Sequence, residues 1–114
     1  MNNFHSPSII QKVYDFYAEL YLTVEKMPKK DKYALGEKLQ KITLDFLELL
    51  ITAGNKLKDE KYPFLELANT KLEVLKITIR LSHEVKAMPT NKYNSLELKL
   101  QEIGRMLGGW IKSL

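Results

Sequence analysis

Apolar positions along this chain recur at alternating steps of three and four in four separate blocks, the period of a helix that buries one face. The first block reads Ile10, Val13, Tyr17, Leu20, Val24 and Met27, and it follows Ser6 and Pro7, a hydroxyl N-cap before a proline suited to the first helical position. Pro28 breaks it. A second block, starting around Pro28 to Asp31, carries Leu35, Leu39, Ile42, Phe46, Leu49 and Ala53, with Gly54 and Asn55 as the expected left-handed stop. After the loop "GNKLKDEKY", Pro63 opens a third block with Leu65, Ala68, Leu72, Leu75, Ile79 and Ser82, ending near Met88 and Pro89. Thr90 is the expected cap of the fourth, whose seam is Tyr93, Leu96, Leu100, Ile103, Leu107, Trp110 and Leu114. The pattern predicts helices over approximately 7–27, 29–53, 63–87 and 91–113. Short turns between helices of this length make an all-α, up-down-up-down antiparallel four-helix bundle the expected fold, in a single domain over residues 1–114. No stretch reads as a strand, and no internal repeat is visible.

Two helices carry more apolar surface than this fold needs. The second has another row at Leu44, Leu47 and Ile51, and the third has one at Leu67, Val74, Leu81, Val85 and Met88. These helices either sit centrally against two neighbours or present a subunit interface. The rule that large exposed apolar patches mark association sites favours the interface, at Leu44, Leu47, Ile51, Val74, Leu81 and Val85. The closing stretch "IGRMLGGWIKSL" adds glycines that each weaken a helix by roughly 1 kcal/mol relative to alanine. Gly104 and Gly108 lie on one flank of the fourth seam and predict a groove for a close helix approach, whereas Gly109 points away. Trp110 and Ile111 return to the apolar phase at once, so the helix is expected to continue, with Trp110 capping the core.

Composition narrows the chemistry. The chain has no cysteine and no signal-like start, and its greasiest stretch, "LDFLELLITAG", contains Asp45 and Glu48; a cytoplasmic protein without a membrane span is expected. An enzyme is not expected. A bundle metal site needs Glu-x-x-His spacing, and the residue three before His83 is Arg80. No glycine-rich phosphate loop and no nucleophile with a placed base is present, so neither metal nor cofactor is expected. Positive charge is the remaining signal, with a net charge of +4 and a pI near 9.2, which permits a polyanionic partner without requiring one. Lys29, Lys30 and Lys32 crowd the turn into the second helix, Lys38 and Lys41 continue along it, and Lys56, Lys58 and Lys61 crowd the next loop. Lys76, Arg80 and His83 form a narrow polar strip on the third helix. They either pair with Glu73 and Glu84 or stand at an interface rim, able to neutralise phosphates. Tyr14, Tyr17 and Tyr21 share a helix face and serve as boundary packing or as stacking platforms for single-stranded RNA.

The segments "YDFYAELYLTVEKMPKKDKYALGEKLQKITLDFLELLITAG", "LANTKLEVLKITIRLSHEVKAM" and "LQEIGRMLGGWIKSL" resemble Avd, the accessory variability determinant of diversity-generating retroelements. The most specific part is "IGRMLGGWIKS". A related family, the four-helix proteins encoded in intervening sequences of bacterial 23S ribosomal RNA genes, shares an "EIGRML" type ending. Its second helix usually resembles "SIPANIAEG", where this chain has "LDFLELLITAG", and that departure favours Avd. The resemblance implies a homopentameric barrel of bundles. It also implies a non-catalytic partner of the element's reverse transcriptase and template RNA, supporting error-prone complementary DNA synthesis and mutagenic retrohoming. Carried onto this chain, the basic surface falls on Lys76 and Arg80, then Lys38 and Lys41, with Lys29, Lys30 and Lys32 beside them. The alternative is a helical scaffold, or a protein of the ribosomal-RNA intervening-sequence type, that binds protein without a polymerase.

Overall fold

A computed structural model describes residues 7–114 and contains four long helices and, among those residues, no strand. Helix α1 spans Pro7–Glu25. Helix α2 begins with Lys29–Asp31, widens into a π-helical turn over Lys32–Gly36 and continues as Glu37–Gly54. Helices α3 and α4 span Tyr62–Glu84 and Thr90–Lys112. Each packs on two neighbours in the cyclic order α1, α2, α3, α4, giving a bundle of 44 × 22 × 21 Å.

The seams follow the sequence pattern on α3 without exception, where Leu65, Ala68, Leu72, Leu75, Ile79 and Ser82 are all buried. On α1 the buried face is Ile9, Val13, Phe16, Leu20, Val24 and Met27, so Ile9 and Phe16 take the places expected for Ile10 and Tyr17. Either set keeps a three-four rhythm, and periodicity alone cannot choose between phases one residue apart. On α2 the π turn inserts an extra residue per turn and changes the phase. Gly36 becomes buried, Leu35 is only half-buried, and Leu50 rather than Leu49 completes the seam. Gly36 is required there, because an added Cβ would lie 2.6 Å from Val24 Cγ1 and 3.3 Å from Met27 Sδ. On α4, Leu96, Leu100, Ile103, Leu107 and Trp110 are buried, while Tyr93 is half-buried and Leu114 is exposed beyond the helix end.

The helix ends differ from their expected chemistry. Ser6, the expected cap of α1, lies outside the described residues. Asn55 closes α2 at φ −95° and Gly54 has no positive φ, so no left-handed stop forms. The stop is Lys61, which is buried, with its ammonium donating to the carbonyls of Ala53 (2.8 Å), Gly54 (3.4 Å) and Lys56 (2.8 Å). These are the orphan acceptors at a helix terminus, here satisfied by a cation that also complements the helix dipole. Helix α3 stops at Glu84, short of the expected 87, in a Schellman arrangement: Ala87 N–H donates to Ser82 O and Lys86 N–H to His83 O. Lys86 holds the left-handed position at φ 65° that glycine usually takes. Thr90 does not cap α4 with its side chain. Its hydroxyl meets His83 Nε2 at 3.0 Å, and the His83 ring stacks on Tyr93 at 4.5 Å.

Ion pairs close two sides of the bundle. Between α1 and α4, Lys12 meets Glu102 at 3.5 Å and Lys99 meets Glu19 at 3.1 Å. On α2, Asp45 lies 3.2 Å from Lys41 of the same helix and reaches across to Lys71 of α3 at 4.0 Å. Such exposed pairs stabilise by less than about 1 kcal/mol each, so they define surfaces more than they hold the fold.

Candidate nucleic-acid and assembly surfaces

The antiparallel path brings the turn between α1 and α2 to the same end of the bundle as the turn between α3 and α4. Lys29 and Lys30 are exposed there, and Lys32 is half-buried with its ammonium 5.9 Å from the Tyr33 ring centre. Sequence spacing placed these three together. It did not reveal that Lys26 and Lys86 join them, lining one cleft of about 670 Å³ with His83, Glu84 and Thr90, or that Lys92 lies at the same end in the first turn of α4. Glu25, Asp31 and Glu84 are the acidic residues of this end, yet none lies within salt-bridge distance of these lysines. The available signal was symmetry of position: Lys26 and Lys86 each stand just past the last turn of a helix, and both helices end on the same side.

The other basic residues separate. Lys76 and Arg80 lie on the α4 side of α3, and no described carboxylate pairs with them, so the expected alternative of bridges to Glu73 and Glu84 is not found. Lys76 is half-buried because its side chain crosses Gly104, where an added Cβ would sit 3.2 Å from the ammonium. Gly104 therefore accommodates a lysine rather than a helix backbone. Lys38 is exposed on the α3 side of α2, and Lys41 next to it is engaged by Asp45. Lys61 leaves the basic surface altogether as the buried cap of α2, where burial pushes its ammonium below the usual lysine range. Gly108 and Gly109 are both exposed, with nothing within 4 Å of an added Cβ, so within one chain they form no groove with Gly104. Trp110 is 9% exposed and closes the core as expected.

The second apolar rows lie at the surface, with one correction: Met88 folds into the core. Leu67, Val74, Leu81 and Val85 are exposed along the outer side of α3, and Ile77 joins them. Leu44 is exposed and Leu47 and Ile51 are half-buried on the α1 side of α2. There, Leu44 and Leu47 line a cleft of about 500 Å³ with Tyr14, Tyr17, Ala18, Tyr21 and Leu22. The tyrosines are thus part of an apolar face, Tyr17 and Tyr21 having ring centres 6.4 Å apart. The two rows occupy different sides of the bundle, separated by the Lys41–Asp45–Lys71 pairs.

No three described His, Cys, Asp or Glu side chains are placed to hold a metal ion together. No described helix is long and apolar enough to cross a membrane. The chain belongs to the bAvd-like family, whose sequence profile matches residues 8–114. Comparison with curated proteins returns no match.

Proposed function

We propose that this bAvd-like chain is a non-catalytic accessory subunit of a diversity-generating retroelement. In that role it binds the element's reverse transcriptase and template RNA and supports mutagenic complementary DNA synthesis and retrohoming. Family membership supports the accessory role. The observation that carries the RNA part is the basic end, where Lys26, Lys29, Lys30, Lys32, Lys86 and Lys92 gather without ion-pair partners. Unpaired lysines at one rim can each neutralise a phosphate and release its counterions without first breaking a salt bridge. Lys76 with Arg80 and, on a different side of the bundle, Lys38 add cations away from this end, and Lys41, held by Asp45, contributes less. The chain works as a homo-oligomer, in line with the pentamer that the resemblance implies, so that several such ends act together.

Binding of a labelled single-stranded RNA, followed by anisotropy over a salt series, tests this reading. The wild type is expected to lose affinity steeply with salt, and Lys29→Glu with Lys30→Glu and Lys86→Glu to flatten the slope by about 0.7 per lost phosphate contact. Binding that is absent, or indifferent to salt and to these changes, would leave a protein-binding scaffold as the better account, since the two apolar faces serve that role without RNA.

A further inference from the structure

We infer that the exposed apolar ridge of α3 in one copy seats in the tyrosine-lined α1/α2 cleft of a second copy, a head-to-tail contact between different surfaces of the same chain. The inference rests on the assembly reading above and specifies which faces meet. The ridge residues Leu67, Val74, Ile77, Leu81 and Val85 are 41–57% exposed on a single convex helix face. The cleft is concave, with Tyr14 and Tyr21 67% and 52% exposed at its edge and the small Ala18 among its lining residues. Neither patch can cover the other within one chain, because the α2/α3 junction with its Asp45–Lys71 pair stands between them.

Register also agrees. Leu67, Val74 and Leu81 are spaced seven apart, as are Tyr14 and Tyr21 on α1 and Leu44 and Ile51 on α2. At 1.5 Å rise per residue all three rows repeat every ~10.5 Å, the match that lets knobs of one helix enter holes between two others. At roughly 150–250 Å² per large side chain, these exposures leave about 400 Å² of apolar surface on each patch. Mating them fully covers about 800 Å² before half-buried Tyr17, Leu47 and Ile51 are included, and these bring the contact toward the ~1,000 Å² that a specific interface requires. A contact of ridge on ridge would cover the α3 surfaces and leave the cleft open. Ridge in cleft covers both, and because the joined surfaces differ, the contact repeats from copy to copy until it closes a ring.

Light scattering on two broken variants and their mixture tests the pairing. One variant carries Val74→Glu and Leu81→Glu on the ridge, the other Ala18→Glu and Leu44→Glu in the cleft. Because all four positions are exposed, each is expected to keep its helicity. A second pair, Leu67→Lys with Ile77→Lys and Tyr14→Lys with Leu22→Lys, replaces any variant that does not. The wild type is expected to be a multi-chain particle and each variant alone a monomer. Their mixture should form a two-chain complex that grows no further, because only one intact ridge and one intact cleft remain. A mixture that stays monomeric, a variant that keeps the wild-type mass, or a cleft variant that dimerises alone through its ridge overturns the pairing while leaving assembly itself standing. A monomeric wild type overturns both.

Discussion

Replacing Lys61 by methionine removes one ammonium and keeps most of the apolar stem, so the substitution isolates what the charge does at the end of α2. Its three donors meet three carbonyls, two at 2.8 Å and one at 3.4 Å. Hydrogen bonds to a charged group contribute about 1.5–3 kcal/mol each, so the two short ones set an upper bound of about 3–6 kcal/mol. Two effects reduce it. Burying the ammonium carries a desolvation cost and loses up to about 2 kcal/mol of lysine rotamer entropy, and the carbonyls beside exposed Asn55 and Lys56 can be rehydrated once released. A loss of about 2–3 kcal/mol remains. Against the 5–15 kcal/mol typical of a domain, that is a large fraction and shifts the melting point downward by roughly 10 °C. Urea denaturation at two protein concentrations reads the effect separately from any change in assembly. A midpoint within experimental error of the wild type, with the same slope, would refute the idea that Lys61 replaces the missing left-handed cap.

Burial holds the Lys61 ammonium below its ordinary value of 10.5, so between the folded pKa and 10.5 the unfolded chain binds more protons than the folded one. The contribution of this group therefore grows as pH rises through that window, and the stability gap between wild type and Lys61→Met should widen toward pH 10.5 in denaturation curves taken at several pH values. Gly36→Ala should destabilise by about 1–3 kcal/mol despite alanine's better helix propensity, because its Cβ would meet Val24 and Met27; an unchanged melting temperature would mean the π turn can shift freely. Gly108→Ala and Gly109→Ala should each stabilise a single chain by about 0.5–1 kcal/mol, since the added methyl meets nothing; a loss of stability or of assembled mass would show that another copy's backbone approaches there. Lys86→Gly should raise the melting temperature by relieving roughly 1–2 kcal/mol of left-handed strain, while removing one charge from the basic end.

The four helices and the whole α3 seam were legible because burial on one face imposes the three-four rhythm directly. The phase of α1 was not, since Ile9 and Ile10, or Phe16 and Tyr17, satisfy that rhythm equally and only packing against α2 and α4 chooses. The π turn was hidden for a related reason: Gly36 reads as an ordinary weak helical residue until Val24 is placed against it. Helix stops misled most. Gly54 and Asn55 have the right composition for a left-handed stop, yet α2 is ended by a lysine seven residues beyond Gly54, and the left-handed position belongs to Lys86 instead. Long-range satisfaction of backbone groups leaves no local trace in sequence. For the same reason Lys61 read as surface charge, and the convergence of Lys26 with Lys86 was out of reach.

The surfaces that remain are arranged so that their roles do not compete. The apolar ridge and cleft run along the sides of the bundle, whereas Lys26, Lys29, Lys30, Lys32, Lys86 and Lys92 gather at one end and the exposed Lys56 and Lys58 stand at the other. If copies join through their sides under a single rotational symmetry with bundle axes near parallel to the ring axis, every basic end emerges on the same face of the ring. The lysines of that end, in a chain whose net charge is only +4, are then repeated around one rim, and RNA that leaves one end meets the next at high effective concentration. It follows that charge reversal at Lys29, Lys30 and Lys86 should weaken RNA binding without changing particle mass. Glutamate at Leu67 and Val74, three turns or more before Lys86 along α3, should lower both together. A ridge variant that is monomeric but binds RNA as tightly as the wild type would show that one basic end suffices and that the ring serves another purpose.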